Sequence, residues 1–191
     1  MPIAFRGALL AAIVSAAAFL AGCANPAPNY AASIDNVEAF KRTGAAPLKP
    51  GLIGVTQGMP GATALQLRAN TMVTPVGAHY GDYIAAALRQ ELELARMFNP
   101  QSGVEISGTL LKNNIDAGGI NTNEGQIEAR FVVQANGQTR FDKVKRIEHQ
   151  WESSFVGATA IPRAAANYPI MVQKLIGSLV ADPDFVKAIK P

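Results

Sequence analysis

Apolar residues recur along this chain with two periods, and each period marks a different kind of element. Ile84, Leu88, Leu92 and Ala95 return every three or four residues, and Tyr80, Ala87, Leu94 and Phe98 widen the stripe. Arg89, Glu93 and Arg96 occupy the other side. This period predicts a helix with one face turned to a core. It stops at Asn99-Pro100, because the residue before a proline is pushed out of the helical region. A second stripe, Ile161, Ala165, Tyr168, Val172, Leu175 and Leu179, predicts a helix from Pro162 to about Ala181. Pro162 suits its first position, and Pro169, which lacks a donor, implies a kink or a fresh start. Asp182-Pro183 ends the helix, and Phe185, Val186 and Ile189 read as a short closing turn.

The other period is two, the mark of strands with one buried face. Leu52–Val55 reads as a first strand after Pro50-Gly51. Leu65, Leu67 and Ala69 alternate with Gln66, Arg68 and Asn70, a second strand running on to Pro75. Val104, Ile106, Gly108 and Leu110 form a third. A Gly- and Asn-rich loop over 113–125 follows, and then Ile127, Ala129, Phe131 and Val133. Asn136-Gly137 permits positive φ and reverses the chain into Thr139–Trp151. A three-residue turn there pairs Phe131 with Phe141, which a two-residue turn would put on opposite faces. Lys143 and Lys145 do not fit that face, so the strand is expected to bulge or leave the core around Asp142–Arg146. The order is β-β-α-β-β-β-α: an α+β fold with one antiparallel sheet of about five strands and two helices packed on one face.

The N-terminal end follows a different pattern. Arg6 and the free amine precede an apolar run from Ala8 to Leu20, closed by Ala21, Gly22 and Cys23. A basic start, a short apolar stretch and a small-residue junction make a secretory signal. The run is too short for a membrane span, which needs about 20 apolar residues. Leu20-Ala21-Gly22-Cys23 resembles the lipobox of bacterial lipoproteins. That resemblance implies cleavage before Cys23, the only cysteine, which then carries covalent diacylglyceryl and N-acyl groups. Residues 1–22 are then signal peptide. Residues 23–50, with Pro26, Pro28, Pro47 and Pro50, read as an acylated N-terminus and flexible Pro/Ala-rich tether, in which Ile34, Val37 and Phe40 are spaced to form a short amphipathic turn. Residues 51–191 are expected to form the periplasmic domain.

Charge and chemistry narrow the function. The 17 Lys and Arg stand against 14 Asp and Glu, with no basic block, so nucleic acid is not an expected partner. With Cys23 acylated, no thiol remains for a disulfide or a metal, and no cofactor is expected. The two histidines, His79 and His149, lie far apart, with no spacing of metal ligands. Ser153-Ser154 lacks a nucleophile elbow, and Asp182-Pro183-Asp184 reads as a helix stop. Catalytic and metal sites are therefore expected to be absent. The run from Glu152 to Pro162 is unusually apolar for a connection. Packing over the sheet edge is the expectation for it, with Phe155, Val156 and Ile161 as the candidate partner-binding patch otherwise.

Gly54-Val55 on a strand, the helix reaching Phe98, the strand-rich middle and the close into Asp184-Phe185, together with the lipobox, resemble the YajG-type lipoproteins of the Gram-negative envelope. The family carries no catalytic motif, so only Cys23 takes a role from it. Ala24, rather than Asp, after the cysteine implies sorting to the outer membrane, facing the periplasm. The expected function is a membrane-anchored, non-catalytic domain acting by contact with an envelope protein. An auxiliary component of an envelope transport system, or a carrier of a lipid or other apolar ligand, is the alternative. A carrier requires a large apolar cavity between sheet and helices. An enzyme, the weakest reading, requires a cleft joining a histidine to an acid or hydroxyl.

Overall fold

Eleven elements appear in the computed structural model, which describes residues 24–190. They are β1 (Ala24–Pro26), α1 (Ile34–Arg42), β2 (Lys49–Val55), β3 (Ala64–Leu67), β4 (Asn70–Val73) and α2 (Tyr80–Leu94), followed by β5 (Val104–Asp116), β6 (Thr122–Ala135), β7 (Gln138–Glu152), α3 (Gly157–Val180) and α4 (Pro183–Ala188). Leu20, Ala21, Gly22 and Cys23 lie outside the described residues.

The fold is mixed α+β, but the strands form two sheets in place of one. A four-stranded sheet has the order β2-β5-β6-β7, and a three-stranded sheet the order β1-β4-β3. β2 runs parallel to β5, because β3, β4 and α2 intervene as a crossover between them. The stretch read as one strand from Leu65 to Thr74 is a hairpin, turned at Arg68, which adopts φ 57°.

Bulges settle the faces. Leu110 pairs with Ala129 and Lys112 with Glu128, so Leu111 is an extra residue that switches the parity of β5. Asn113 and Ile115 then point inward and are buried. More than half of the expected loop over 113–125 is therefore ladder, and only residues 117–121 remain as connection. At the β6–β7 turn Ala135 pairs with Gln138, which leaves two residues, Asn136 and Gly137, at φ 52° and 79°. Arg140 is the extra residue on β7, and Val133 rather than Phe131 faces Phe141. The parity that the apolar face demands is met by a bulge in the strand, not by a third turn residue.

β7 neither bulges nor departs over 142–146. Lys143 and Lys145 stay on the inward face at its rim. The Lys145 ammonium lies 2.6 Å from Asp182 Oδ2 and that of Lys143 2.6 Å from Asp184 Oδ2. Their methylene stems cover apolar surface while the charges reach the start of α4. Asp182 also caps α4, accepting from the Asp184 amide at 2.8 Å.

All four helices lie on the inward side of the larger sheet. α2 packs over β2 and α3 over β6 and β7, and α1 packs against both helices. α2 ends at Leu94, short of Phe98, because Arg96 takes a left-handed φ of 59°. Leu94, placed in the apolar stripe by spacing, is 55% exposed. α3 begins at Gly157 and runs through both Pro162 and Pro169, so Pro162 is interior and Pro169 starts nothing new. Their missing N–H groups leave the carbonyls of Ala158 and Ala165 without the usual donor. Between sheet and helices, Ile84, Leu88, Leu110, Ile127, Phe131, Tyr168, Met171, Val172 and Leu175 are fully or almost fully buried.

Residues 24–50 are not a tether in this structure. Ala24–Pro26 pair in parallel with Thr71–Val73. Val37 and Phe40 of α1 are buried, and Phe40 meets Phe185 edge-on at 6.4 Å. The spacing of Ile34, Val37 and Phe40 did mark a helix, though Ile34 is exposed. The segment is fixed by polar side chains that composition does not display. Glu91, wholly buried on α2, accepts from the Tyr30 hydroxyl, from Asn36 Nδ2 at 3.1 Å and from the Ser33 amide at 3.2 Å. Asn36 also donates to the Gln173 carbonyl at 2.8 Å, and Gln173 returns a bond to the Ala31 carbonyl at 2.7 Å. Burial raises the Glu91 pKa, and the three donors oppose it. All three donate to Oε1, so Oε2 is the oxygen without a partner.

Candidate functional site

One end of the domain gathers the start of β1, the β3–β4 turn, the 117–121 loop and the 153–156 connection. Arg68 joins them. Its Nε donates to the Ala117 carbonyl at 2.7 Å, and Nη2 to the carbonyls of Gly119 and Ser154, each at 2.8 Å. Nη1 reaches the Phe155 carbonyl at 3.2 Å. A guanidinium can do this because its donors fan out in one rigid plane. The left-handed turn at Arg68 aims it at both loops. Ser153 adds a second tie, with Oγ donating to the Gly119 carbonyl at 2.7 Å and its amide to the Asn121 carbonyl at 2.8 Å.

The backbone of these loops is thus turned inward to Arg68, and their large apolar side chains are left outside. Phe155 is 79% exposed, Val156 56% and Ile120 60%. The expectation that the 152–162 run packs over the sheet edge is corrected for Phe155 and Val156, whose carbonyls and amides, not side chains, make the contacts. Ile161 behaves differently: it is partly buried against the core. It also lines, with Pro162, Ala165, Leu67, Met72, Asn25 and Pro26, a predominantly apolar groove of about 200 Å³. The groove neighbours the lip formed by Ile120, Phe155 and Val156, since Leu67 and Asn70 flank the Arg68 turn and a Cβ on Gly157 would touch Ile161 at 3.8 Å.

The histidines have structural employment. His79 caps α2: its Nδ1 accepts from the Asp82 amide at 3.2 Å, while Asp82 Oδ2 accepts from the amides of Ala78 and His79. Asp82 is the acid in reach of a histidine, and its carboxylate is already committed to the cap. His149 sits between Lys174 and Asn167, with Nδ1 2.7 Å from Lys174 Nζ and Nε2 2.9 Å from Asn167 Oδ1. An ammonium only donates, so Nε2 carries the proton and donates to Asn167. Among the described residues no group of three or more His, Cys, Asp or Glu is placed to hold a metal. Glu124, Gln126, Glu148 and Gln150 line a broad polar groove of about 390 Å³ on the outward face of the larger sheet.

Sequence spacing pointed to Phe155, Val156 and Ile161 but not to Arg68, Ser153 or Ile120. The signal available for Arg68 was weak: an arginine at an otherwise alternating position, flanked by two apolar pairs, where a turn could equally have been drawn.

No protein-family model and no curated protein matches the chain. Among solved structures the fold is similar to that of protein XCC0632 from Xanthomonas campestris, described as belonging to the family DUF330. Identity is 11%, the TM-score 0.53, and the alignment covers 87% of this chain and 93% of that one. A second solved structure, of an uncharacterized protein, is 10% identical over 81% of this chain and 98% of its own, with a TM-score of 0.43 too low to carry an argument. The first likeness defines a shared α+β fold and nothing further.

Proposed function

We propose that this chain is a lipoprotein of the Gram-negative envelope, anchored in the outer membrane through acylated Cys23, with a non-catalytic periplasmic domain that works by protein contact. One observation supports it most: Ala24, the residue that directly follows the cysteine of the lipobox, is already paired with Thr71 in β1. A signal cleaved before Cys23 keeps every described strand and helix in the mature chain, and leaves the acylated residue adjoining β1. The YajG-type resemblance and Ala24 in the sorting position agree with this reading. The side chains of Ile84, Leu88, Phe131, Tyr168 and Val172, buried between sheet and helices, favour contact over carriage of an apolar ligand. A role beside an envelope transport system is one form such contact takes.

Mass spectrometry of the N-terminal peptide from the membrane-extracted protein tests the anchor. Cys23 should carry diacylglyceryl and N-acyl groups. The Cys23→Ser variant should fold, by circular dichroism, yet leave the outer-membrane fraction. An unmodified Cys23, or a variant still recovered in that membrane, would refute the anchor.

A further inference from the structure

We infer that the Arg68-stapled end of the domain is its membrane-facing surface, with Ile120, Phe155 and Val156 inserted into the bilayer as a second contact beside the lipid anchor. The inference rests on the anchor proposed above and adds an orientation to it.

Three observations converge. The exposed large apolar side chains Ile120, Phe155 and Val156 lie on two loops that a single guanidinium binds, so they are grouped although they are more than thirty residues apart in sequence. The chain enters the domain at this same end. Ala24 pairs with Thr71, and Asn25 and Pro26 line the groove beside Ile161 and Pro162. Asn25 is two positions along the chain from the acylated cysteine, and consecutive Cα atoms are only about 3.8 Å apart, so the anchor is tethered close to that groove. Acyl chains leaving Cys23 bring the bilayer to this end and no other.

The third observation is rigidity. Carbonyls at 117, 119, 154 and 155 are all spent on Arg68. The loops therefore cannot fold back to bury their own apolar side chains, which is the alternative a flexible loop would take. The occupant of this surface is lipid and not a charged partner. Arg163 and Glu152, which flank the lip, pair with each other at 3.4 Å, and the exposed Asp116 beside the 117–121 loop balances the charge of Arg68. No surplus of positive charge faces outward there, so apolar burial drives the contact, and it should be insensitive to salt.

The test uses the full acylated protein reconstituted in phosphatidylethanolamine–phosphatidylglycerol vesicles. Acylated Cys23 offers no thiol, so Phe155→Cys, Ile120→Cys and, as control, Val144→Cys each supply a single labelling site. Val144 is half exposed on the outward face of β7, eight residues back from Glu152. Fluorophores at 155 and 120 should be quenched several-fold more by doxyl-labelled lipid than the one at 144, equally in 0.1 M and 1 M salt. Floating protein whose label at 155 is as open to iodide as that at 144 overturns the orientation alone. Energy transfer between labels at 155 on two copies, without lipid quenching, overturns it in favour of self-association. Protein that does not float with the vesicles refutes the anchor, and the orientation with it.

Discussion

Replacing Arg68 by alanine removes the tie between the two loops, and the cost can be worked from its bonds. Contacts to the carbonyls of Ala117, Gly119 and Ser154 are 2.7, 2.8 and 2.8 Å long. Charge-assisted bonds contribute roughly 1.5–3 kcal/mol each where they are shielded, and less where water can take over the acceptor. This site is part-exposed, so about 1 kcal/mol for each of the three is appropriate, or about 3 kcal/mol in all. For a domain of this size that corresponds to roughly 6–12 °C in Tm. The backbone adds an internal control. Arg68 sits at φ 57°, a conformation that costs an L-residue about 1 kcal/mol and glycine almost nothing. Arg68→Gly should therefore lose about 1 kcal/mol less than Arg68→Ala, while Arg68→Lys, a point charge without the fork, should recover only part of the loss. Thermal and urea unfolding measure the three variants, and amide exchange at Ser153, bonded to Asn121 at 2.8 Å, should quicken in each. A loss below about 1 kcal/mol, unchanged exchange, or full rescue by lysine would show that Arg68 is not the staple.

Two further substitutions probe the buried charges. Glu91→Ala strands the Tyr30 hydroxyl, the Asn36 amide and the Ser33 N–H without their acceptor, and should cost about 3 kcal/mol by urea unfolding; a loss under 1 kcal/mol would mean that the N-terminal segment is held by burial alone. Glu91→Gln keeps the acceptor. Because burial raises the Glu91 pKa, the folded protein binds this proton more tightly, and stability from the group falls as pH rises above 4.5. The glutamine variant lacks that slope, so its stability should gain on the native protein between pH 4 and 8, and parallel curves would refute the assignment. Asp182 has the opposite sign: the hydrogen bond from Lys145 leads the interactions that hold its carboxyl far below 3.8. Its contribution is present above that value and lost as pH falls through the depressed folded pKa. Asp182→Asn should lower Tm at pH 7 and converge on the native protein in strong acid, and an equal loss at every pH would place its role in capping alone.

Periodicity carried the sequence a long way where burial was regular. The α2 and α3 stripes and the inward residues of β6 followed from it, because each apolar residue answers to a core on one side. It failed where one residue resets the register. Leu111 and Arg140 are extra residues in their strands, and nothing in their identity distinguishes them from neighbours. It failed also where polar atoms are buried in partnership. Lys143 and Lys145 looked misplaced because Asp182 lies nearly forty residues away, and the burial of Glu91 went unmarked because Tyr30 and Asn36 lie more than fifty away. Composition misled at 24–50, where prolines and alanines suggested a tether while Tyr30, Asn36, Phe40 and Leu48 supplied the grip. The lip was legible as an apolar run, but its exposure depends on Arg68, which the pattern hid.

The shortness of β1 has a mechanical meaning in the anchored form proposed above, where the load enters next to Ala24. Force that draws the domain away from the membrane loads Ala24–Pro26 before anything else. Among the described residues, three parallel pairs, the buried Ala27 side chain, and the bonds from the Ala27 amide to the Val73 carbonyl and from the Tyr83 hydroxyl to the Pro28 carbonyl, both 2.8 Å, precede Tyr30. Once these give way, residues 24–29 pay out roughly 20 Å at about 3.3–3.6 Å per residue. The load then reaches the Glu91 clamp. In that anchored form residues 24–29 act as a fuse, holding the domain close to the bilayer at rest and becoming slack under tension, with only Ala27 among them withdrawn from the core.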